Sequence, residues 1–460
     1  MKKTLSWLLS AVLLVALAAE GTAAPSQEKK DASSGGLKAL KAEITVWCFP
    51  VYEGYDKLMG PALQENLNKT YPNIKVNCEL QSWDTGPEKI TVAYASGATP
   101  DVLLDGISRV MPAISKGLCV PVDDVLGKLT DTIIPEYRNP VVVNGKNYYV
   151  PVYSSNGYNI SVNKALAKKL GVYDLLPADK VHWSYDQFLA FCRAARAKGK
   201  AGDVYPTQLW AGSRSSDSAY FSFLMSAGSS ILDKEHTKCL INDDNAVKAF
   251  TVLQTLIKED LVPMGAATAK DSDASIAFYS GKLVMNMASA GAQTAVYTMD
   301  KVKKGEFKKD DIEVEVFMFP TPDGKTDPKT VNWGPYGFSL FKNKNNEDKI
   351  AASKLYAEEI LGNLMYIKTI CKAIGNVPAT KVGTVDFGDP WVNGQFELAN
   401  GWSTRFSTSG MGILEPWWTQ VREVFFPEMQ ALYVNEKTPK QALDSFAAKT
   451  DAIIAKESKK

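Results

Sequence analysis

The chain has 460 residues, 45% hydrophobic and 22% charged, with a formal charge of +1. That length exceeds one comfortable core and predicts two lobes, and the even charge balance favours neither nucleic acid nor an anionic membrane as a partner. His182 and His236 are its two histidines, too few for a histidine-rich metal site, and neither stands in a recognisable catalytic context.

Met1-Lys2-Lys3 followed by the apolar run Trp7 to Ala19 reads as an export signal, too short to span a bilayer. Leu17-Ala18-Ala19-Glu20-Gly21 has the form of a bacterial lipobox with Glu20 where the lipidated Cys would stand. The thioether needs that sulfur, so the chain is anchored there only if Glu20 replaces a native Cys. Cleavage after Ala24 is the other reading and makes 1–24 the leader. Residues 25–40 then form a polar tether, or equally a frayed terminus.

Glu43 to Cys48 is a β-rich run, and Leu58, Met59, Ala62, Leu63 and Leu67 recur at helical spacing. Ile74 to Cys78 alternates as a strand, Lys89 to Ala95 is helical, and Asp101 to Leu104 is a third strand. This series predicts a parallel doubly wound sheet. With no GxGxxG or P-loop in its first turn, nucleotide binding is not suggested. Tyr148 to Tyr153 is a further strand, interrupted by Pro151.

A second α/β series follows. Ser184 and Gln187 form a capping box, Asp243 and Asp244 open a helix, and Leu283 to Met287 and Val314 to Phe319 are buried strands. Gly337 to Phe341, a helix over 346–361, the irregular segment Gly375 to Ala379 and a terminal helix opened by Thr438-Pro439-Lys440-Gln441 complete the chain. The six cysteines, Cys48, Cys78, Cys119, Cys192, Cys239 and Cys371, show neither a CxxC pair nor metal spacing. Cys48 and Cys78 end two neighbouring strands, where they are buried small side chains or a bridge; all six are read as structural or inert.

Several segments in order carry a resemblance: V-A-Y-A-S-G-A-T-P-D-V-L-L-D (92–105), Tyr158 to Leu166, F-Y-S-G-K-L-V-M (278–285), W-G-P-Y-G-F (333–338), Gly375 to Ala379 and T-P-K-Q-A-L (438–443). After an export signal, this set resembles the carbohydrate-binding, maltose-binding-protein-like solute-binding proteins of bacterial ABC importers. The resemblance implies a periplasmic-binding-protein-like α/β fold of two discontinuous lobes joined by a hinge, with the ligand in the cleft between them. The first lobe is expected at 41–151 with 322–378, the second at 152–321 with 379–460. Many maltose-type relatives carry Gly-Pro-Trp where this chain reads Ser289-Ala290-Gly291. A stacking indole is therefore missing, and aromatic contacts must come from elsewhere.

Ligands of open α/β sheets gather beyond the carboxyl ends of strands. That rule selects Trp47 and Tyr52 after the first strand, Trp83 and Asp84 after the second, and Asp105 after the third, with core packing or an N-cap as the plainer roles. It also selects Tyr153 and Asn156 at the crossover, Trp210 and Arg214 in L-W-A-G-S-R, and Ser289 at the missing indole. Arg214 equally suits a pairing with Asp217. Trp333 and Tyr336 sit in a loop that the resemblance makes a binding loop. Trp402 and Arg405, or Trp417 and Trp418, form the cleft rim or else anchor the following helix. Indole and phenol rings cover the C–H faces of sugars while carboxylates, amides and guanidinium groups bond the hydroxyls.

The resemblance implies a monomeric receptor without cofactor or catalysis. It would capture a small carbohydrate outside the membrane or in the periplasm and hand it to the transmembrane subunits of an ABC permease. The same fold serving a peptide or polyamine is the alternative. A secreted carbohydrate-active enzyme, with Asp105 and Glu415 as its carboxylates, is a more distant one.

Overall fold

The computed structural model describes residues 34–49, 55–83, 85–155, 157–213, 217–287, 290–331, 334–408 and 411–459. Its strands, in chain order, are β1 (Ala42–Cys48), β2 (Ile74–Leu80), β3 (Val102–Gly106), β4 (Val142–Val143), β5 (Lys146–Asn147), β6 (Val150–Ser154) and β7 (Ile160–Asn163). They continue with β8 (Met285–Asn286), β9 (Val314–Phe317), β10 (Thr330–Val331), β11 (Pro335–Leu340), β12 (Val377–Pro378) and β13 (Ser407–Thr408).

The larger sheet runs β12-β6-β11-β3-β1-β2. Strands β2, β1 and β3 are parallel, as the strand-helix series predicts, whereas β11 lies antiparallel between β3 and β6. Strand β11 follows β6 by nearly two hundred residues of chain, so no reading of neighbouring segments announces this pairing. Side chains alternate with the period of two that a pleated strand requires. Ile44, Val46 and Cys48 enter one apolar layer with Leu63, Leu67 and the helices Glu347–Gly362 and Leu364–Ile374. Trp47 and Leu103 enter another with Ile90 and Val110 of the helices Gly86–Ser96 and Ile107–Ser115. The apolar spacing at 58–67 proves to be a π-helical turn, Leu58–Ala62, before the α-helix Leu63–Thr70; the turn holds Pro61, which has no N–H to give an α-helical ladder.

Gly337 is required where β11 meets β6. A Cβ there would lie 2.3 Å from the Val150 carbonyl oxygen and 2.7 Å from Tyr149 Cε1. The register between the two strands shifts at the same point, between Tyr336 and Gly337. The Tyr149 hydroxyl donates to the carbonyls of Asp105 and, at 2.9 Å, Pro335.

The smaller sheet, β8-β7-β9, belongs to a second and larger core. The helix Tyr185–Gly199 packs Phe188, Phe191 and Cys192 there, behind the expected capping box of Ser184 and Gln187. Asp243 caps the helix Asp244–Lys258 through the Ala246 N–H at 2.8 Å, and Thr438 and Gln441 box the terminal helix Pro439–Glu457. Val331 enters this second core before Phe338 enters the first. The helix Pro390–Phe406 starts with Val392 in the first core and ends with Trp402 and Phe406 in a cluster on β9. All six cysteines are free thiols.

Candidate functional site

Five chain ends meet along the carboxyl edge of the larger sheet. Phe49 follows β1 and Trp83 follows β2; their rings stack with centroids 4.3 Å apart. Asp105, near the end of β3, is fully buried and accepts from the Arg109 Nε at 2.7 and 2.8 Å and from Arg109 Nη2. The guanidinium carbon lies 5.5 Å from both the Phe49 and the Trp83 ring centroids, a cation–π position. Burial pulls the Arg109 pKa down, but the Asp105 carboxylate and the Tyr336 hydroxyl outweigh it and the net shift is upward, so Arg109 stays charged. Tyr336 at the start of β11 pairs with Gly106 and with Tyr153 of β6, and the two phenol rings stack at 5.5 Å.

A helix of the second core faces this edge. Trp418–Tyr433 presents Thr419, Arg422, Glu423 and Phe426 to a cavity whose other wall is Trp83, Ile90, Tyr94, Arg109 and Pro112 with neighbours. The walls therefore come from the two separate cores. Arg422 is clamped to fully buried Asp217, with Nη2 to Oδ1 at 2.9 Å and Nε also bonded. Each wall thus carries one guanidinium locked to its own carboxylate, which keeps both cations near neutral overall and their remaining N–H donors fixed in direction. Tyr94 keeps its hydroxyl buried without a hydrogen-bond partner.

Tyr52, Asp84, Asn156, Arg214, Ser289 and Trp333 lie outside the described residues. Of the described candidates, Trp83 lines the cavity, while Asp105, Tyr336 and Tyr153 stand at the same sheet edge. Trp47 belongs to the buried layer beside Phe49, with Lys89 Nζ 4.1 Å from its ring centroid. Trp210 is 1% exposed in the second core, its backbone N–H and carbonyl both engaged by the Tyr220 hydroxyl at 2.8 and 3.0 Å. Trp402 is buried with Val316 and Met318, and Arg405 reaches Asp327 at 3.2 Å on the surface. Trp417 and Trp418 anchor their helix in the second core. Asp217 pairs with Arg422. Glu415 is bonded to His236 at 2.9 Å and Asp105 to Arg109, so the two carboxylates considered for glycosidic chemistry are both engaged.

Sequence reasoning missed Arg109 and the Thr419–Phe426 face. Arg109 was visible as the cation one helical turn after Asp105. The second face was visible as charges at Arg422 and Glu423 interrupting an apolar run. Among the described residues, three or more His, Cys, Asp or Glu side chains nowhere gather as a metal site, and no helix is long and apolar enough to cross a membrane.

Two α/β lobes enclosing a cavity between them define the class of hinged binding proteins. The chain belongs to the bacterial extracellular solute-binding proteins, whose family model matches residues 51–361. A candidate binding protein of Brucella abortus (strain 2308) is 23% identical over 430 residues, covering 92% of this chain and 95% of its own. An ABC transporter solute-binding protein from Thermotoga lettingae TMO, solved with bound α-D-tagatose, superposes with a TM-score of 0.73 at 17% identity, over 90% of this chain and 100% of that one. An ABC substrate-binding protein from Listeria monocytogenes in complex with cycloalternan gives 0.71 at 18% identity, over 91% and 99%.

Proposed function

We propose that the protein is the sugar-capturing component of an ABC importer, binding a saccharide between its lobes and presenting it to the permease without chemical turnover. The observation that carries this reading is the cavity walled by Trp83, Tyr94 and Phe426 together with the paired guanidiniums of Arg109 and Arg422. Rings suit the apolar faces of a sugar, and charge-neutralised guanidiniums offer hydrogen bonds to hydroxyls without demanding an anion. The solved relatives that hold tagatose and cycloalternan support the same ligand class.

We divide the lobes at Ser154/Ile160, Val331/Pro335 and within Pro390–Phe406, moving the second crossing later than the 321/322 expected from sequence; the supporting facts are Val331 in one core and Phe338 in the other. A guest touching both walls favours the closed arrangement by the difference between its affinities for the closed and open states. Export, with Glu20 deciding anchorage, and a monomeric receptor complete the proposal.

The test is calorimetry with neutral mono- and oligosaccharides, uronates, peptides and polyamines. Saturable binding of a neutral saccharide, with no product after prolonged incubation, is expected. Binding confined to peptides or polyamines, or slow cleavage of the bound sugar, would overturn it.

A further inference from the structure

The chain holds six cysteines, and two of them touch. Cys48 Sγ and Cys78 Sγ are 3.2 Å apart. Strands β1 and β2 pair in unbroken parallel register from Ala42↔Ile74 to Cys48↔Leu80. Cys78 stands opposite Val46, so the two sulfurs meet diagonally on one face of the sheet, the face that packs on the first core. Cys48 is buried and Cys78 is half-buried. The space for Cys78 is specific: a Cβ on Gly60 would lie 2.9 Å from the Cys78 Cβ, so the bare backbone of the Leu58–Ala62 turn is what admits it.

We propose that Cys48 and Cys78 form a redox-active dithiol that closes to a disulfide in the oxidising surroundings of an exported protein, tying the carboxyl ends of β1 and β2 together. A disulfide needs ~2.05 Å between sulfurs, a further approach of roughly 1.2 Å from the present contact. The oxidant is a small or protein disulfide. The half-exposed Cys78, as its thiolate, attacks one sulfur of that disulfide; the other sulfur leaves as a thiolate and a mixed disulfide forms. Cys48 then attacks the Cys78 sulfur and expels the second thiolate. One protein S–S bond is made, one external S–S bond is broken, and the two protein thiol protons end on the two released thiols. The remaining four cysteines are all buried and take no part in the Cys48–Cys78 contact.

The position gives the bridge a consequence beyond stapling. Phe49 follows Cys48 directly, and Trp83 lies five residues beyond Cys78. The Gln81 N–H donates to the Cys48 carbonyl at 2.8 Å, so the strand ends are held together up to the stacked Phe49–Trp83 pair. A covalent link at this point restrains the aromatic floor of the cavity.

The experiment equilibrates the purified chain with oxidised glutathione, blocks free thiols under denaturing conditions, and maps tryptic peptides. Loss of two thiols, with peptides 42–57 and 76–89 linked and two hydrogens lighter than their sum, is expected; dithiothreitol should separate them and lower Tm by several degrees. The Cys48→Ala/Cys78→Ala variant should lose the dithiothreitol effect on Tm. Recovery of both wild-type peptides in alkylated form after full equilibration, or a link between any other pair, would overturn the proposal; the wild-type map decides even where the variant fails to fold.

Discussion

Asp105 and Arg109 show how much one side chain can set at this site. Asp105 was legible because a short apolar strand after Thr99-Pro100 ends on it. Arg109, one helical turn further on, was overlooked because its partnership depends on a helix starting immediately after the strand. Replacing Trp83 by Ala removes the ring that both stacks on Phe49 and faces the cavity. Saccharide binding should weaken about tenfold, or ~1.4 kcal/mol, by calorimetry, with the melting temperature nearly unchanged. Arg422→Met takes from Asp217, which has no exposed surface, the guanidinium bonded to both of its carboxylate oxygens. Urea unfolding should report a loss of about 3–5 kcal/mol. The aromatic residues Trp210 and Trp402 illustrate why the rest was illegible: an indole suited to a sugar is equally suited to a core, and sequence spacing does not say which side of a wall it occupies.

At the scale of elements, caps and strands were read well because their signals are local. Ser184-Gln187 and Thr438-Gln441 satisfy their own backbone donors within four residues. Thr438→Ala should therefore cost about 1 kcal/mol in the terminal helix, measurable by chemical unfolding. The loop over 179–182 adds a pH-dependent clasp. His182 bonds Asp179 at 2.7 Å and Asp327 at 3.1 Å. The hydrogen bond that the imidazolium donates to Asp179 raises the His182 pKa, burial opposes it, and Asp327 raises it further. A raised imidazole stabilises the fold fully below its unfolded value near ~6.5 and loses that contribution as pH climbs through the raised folded value. His182→Gln should accordingly lower Tm at pH 6 and change it little at pH 8. Equal effects at both pH values would count against the clasp.

For the whole molecule, the two-lobe plan followed from length and from motifs spaced along the chain, while the crossings between lobes are placed by our proposal. Their positions depend on which core claims Val331, Phe338 and Val392, and all three are ordinary apolar residues in sequence. Gln293 of the helix Gly291–Lys303 bonds Asn376 at 3.0 Å where that helix meets Leu364–Ile374. Small-angle scattering should show the radius of gyration falling when a saccharide binds, with Trp83→Ala shifting the concentration at which it falls. An unchanged radius across saturation would argue against closure.

The central place of β11 also fixes when the molecule can fold. Strand β6 ends at Ser154 and its neighbour β11 starts at Pro335, so a ribosome making about 5–20 residues per second needs roughly 9 to 36 seconds between them. Throughout that interval β3 and β6 lack the partner they share, and the sheet cannot be completed. The nascent chain thus carries a built-in delay, and a fragment ending at Val331 should stay unfolded in the lobe of whose six-stranded sheet it already contains β1, β2, β3 and β6.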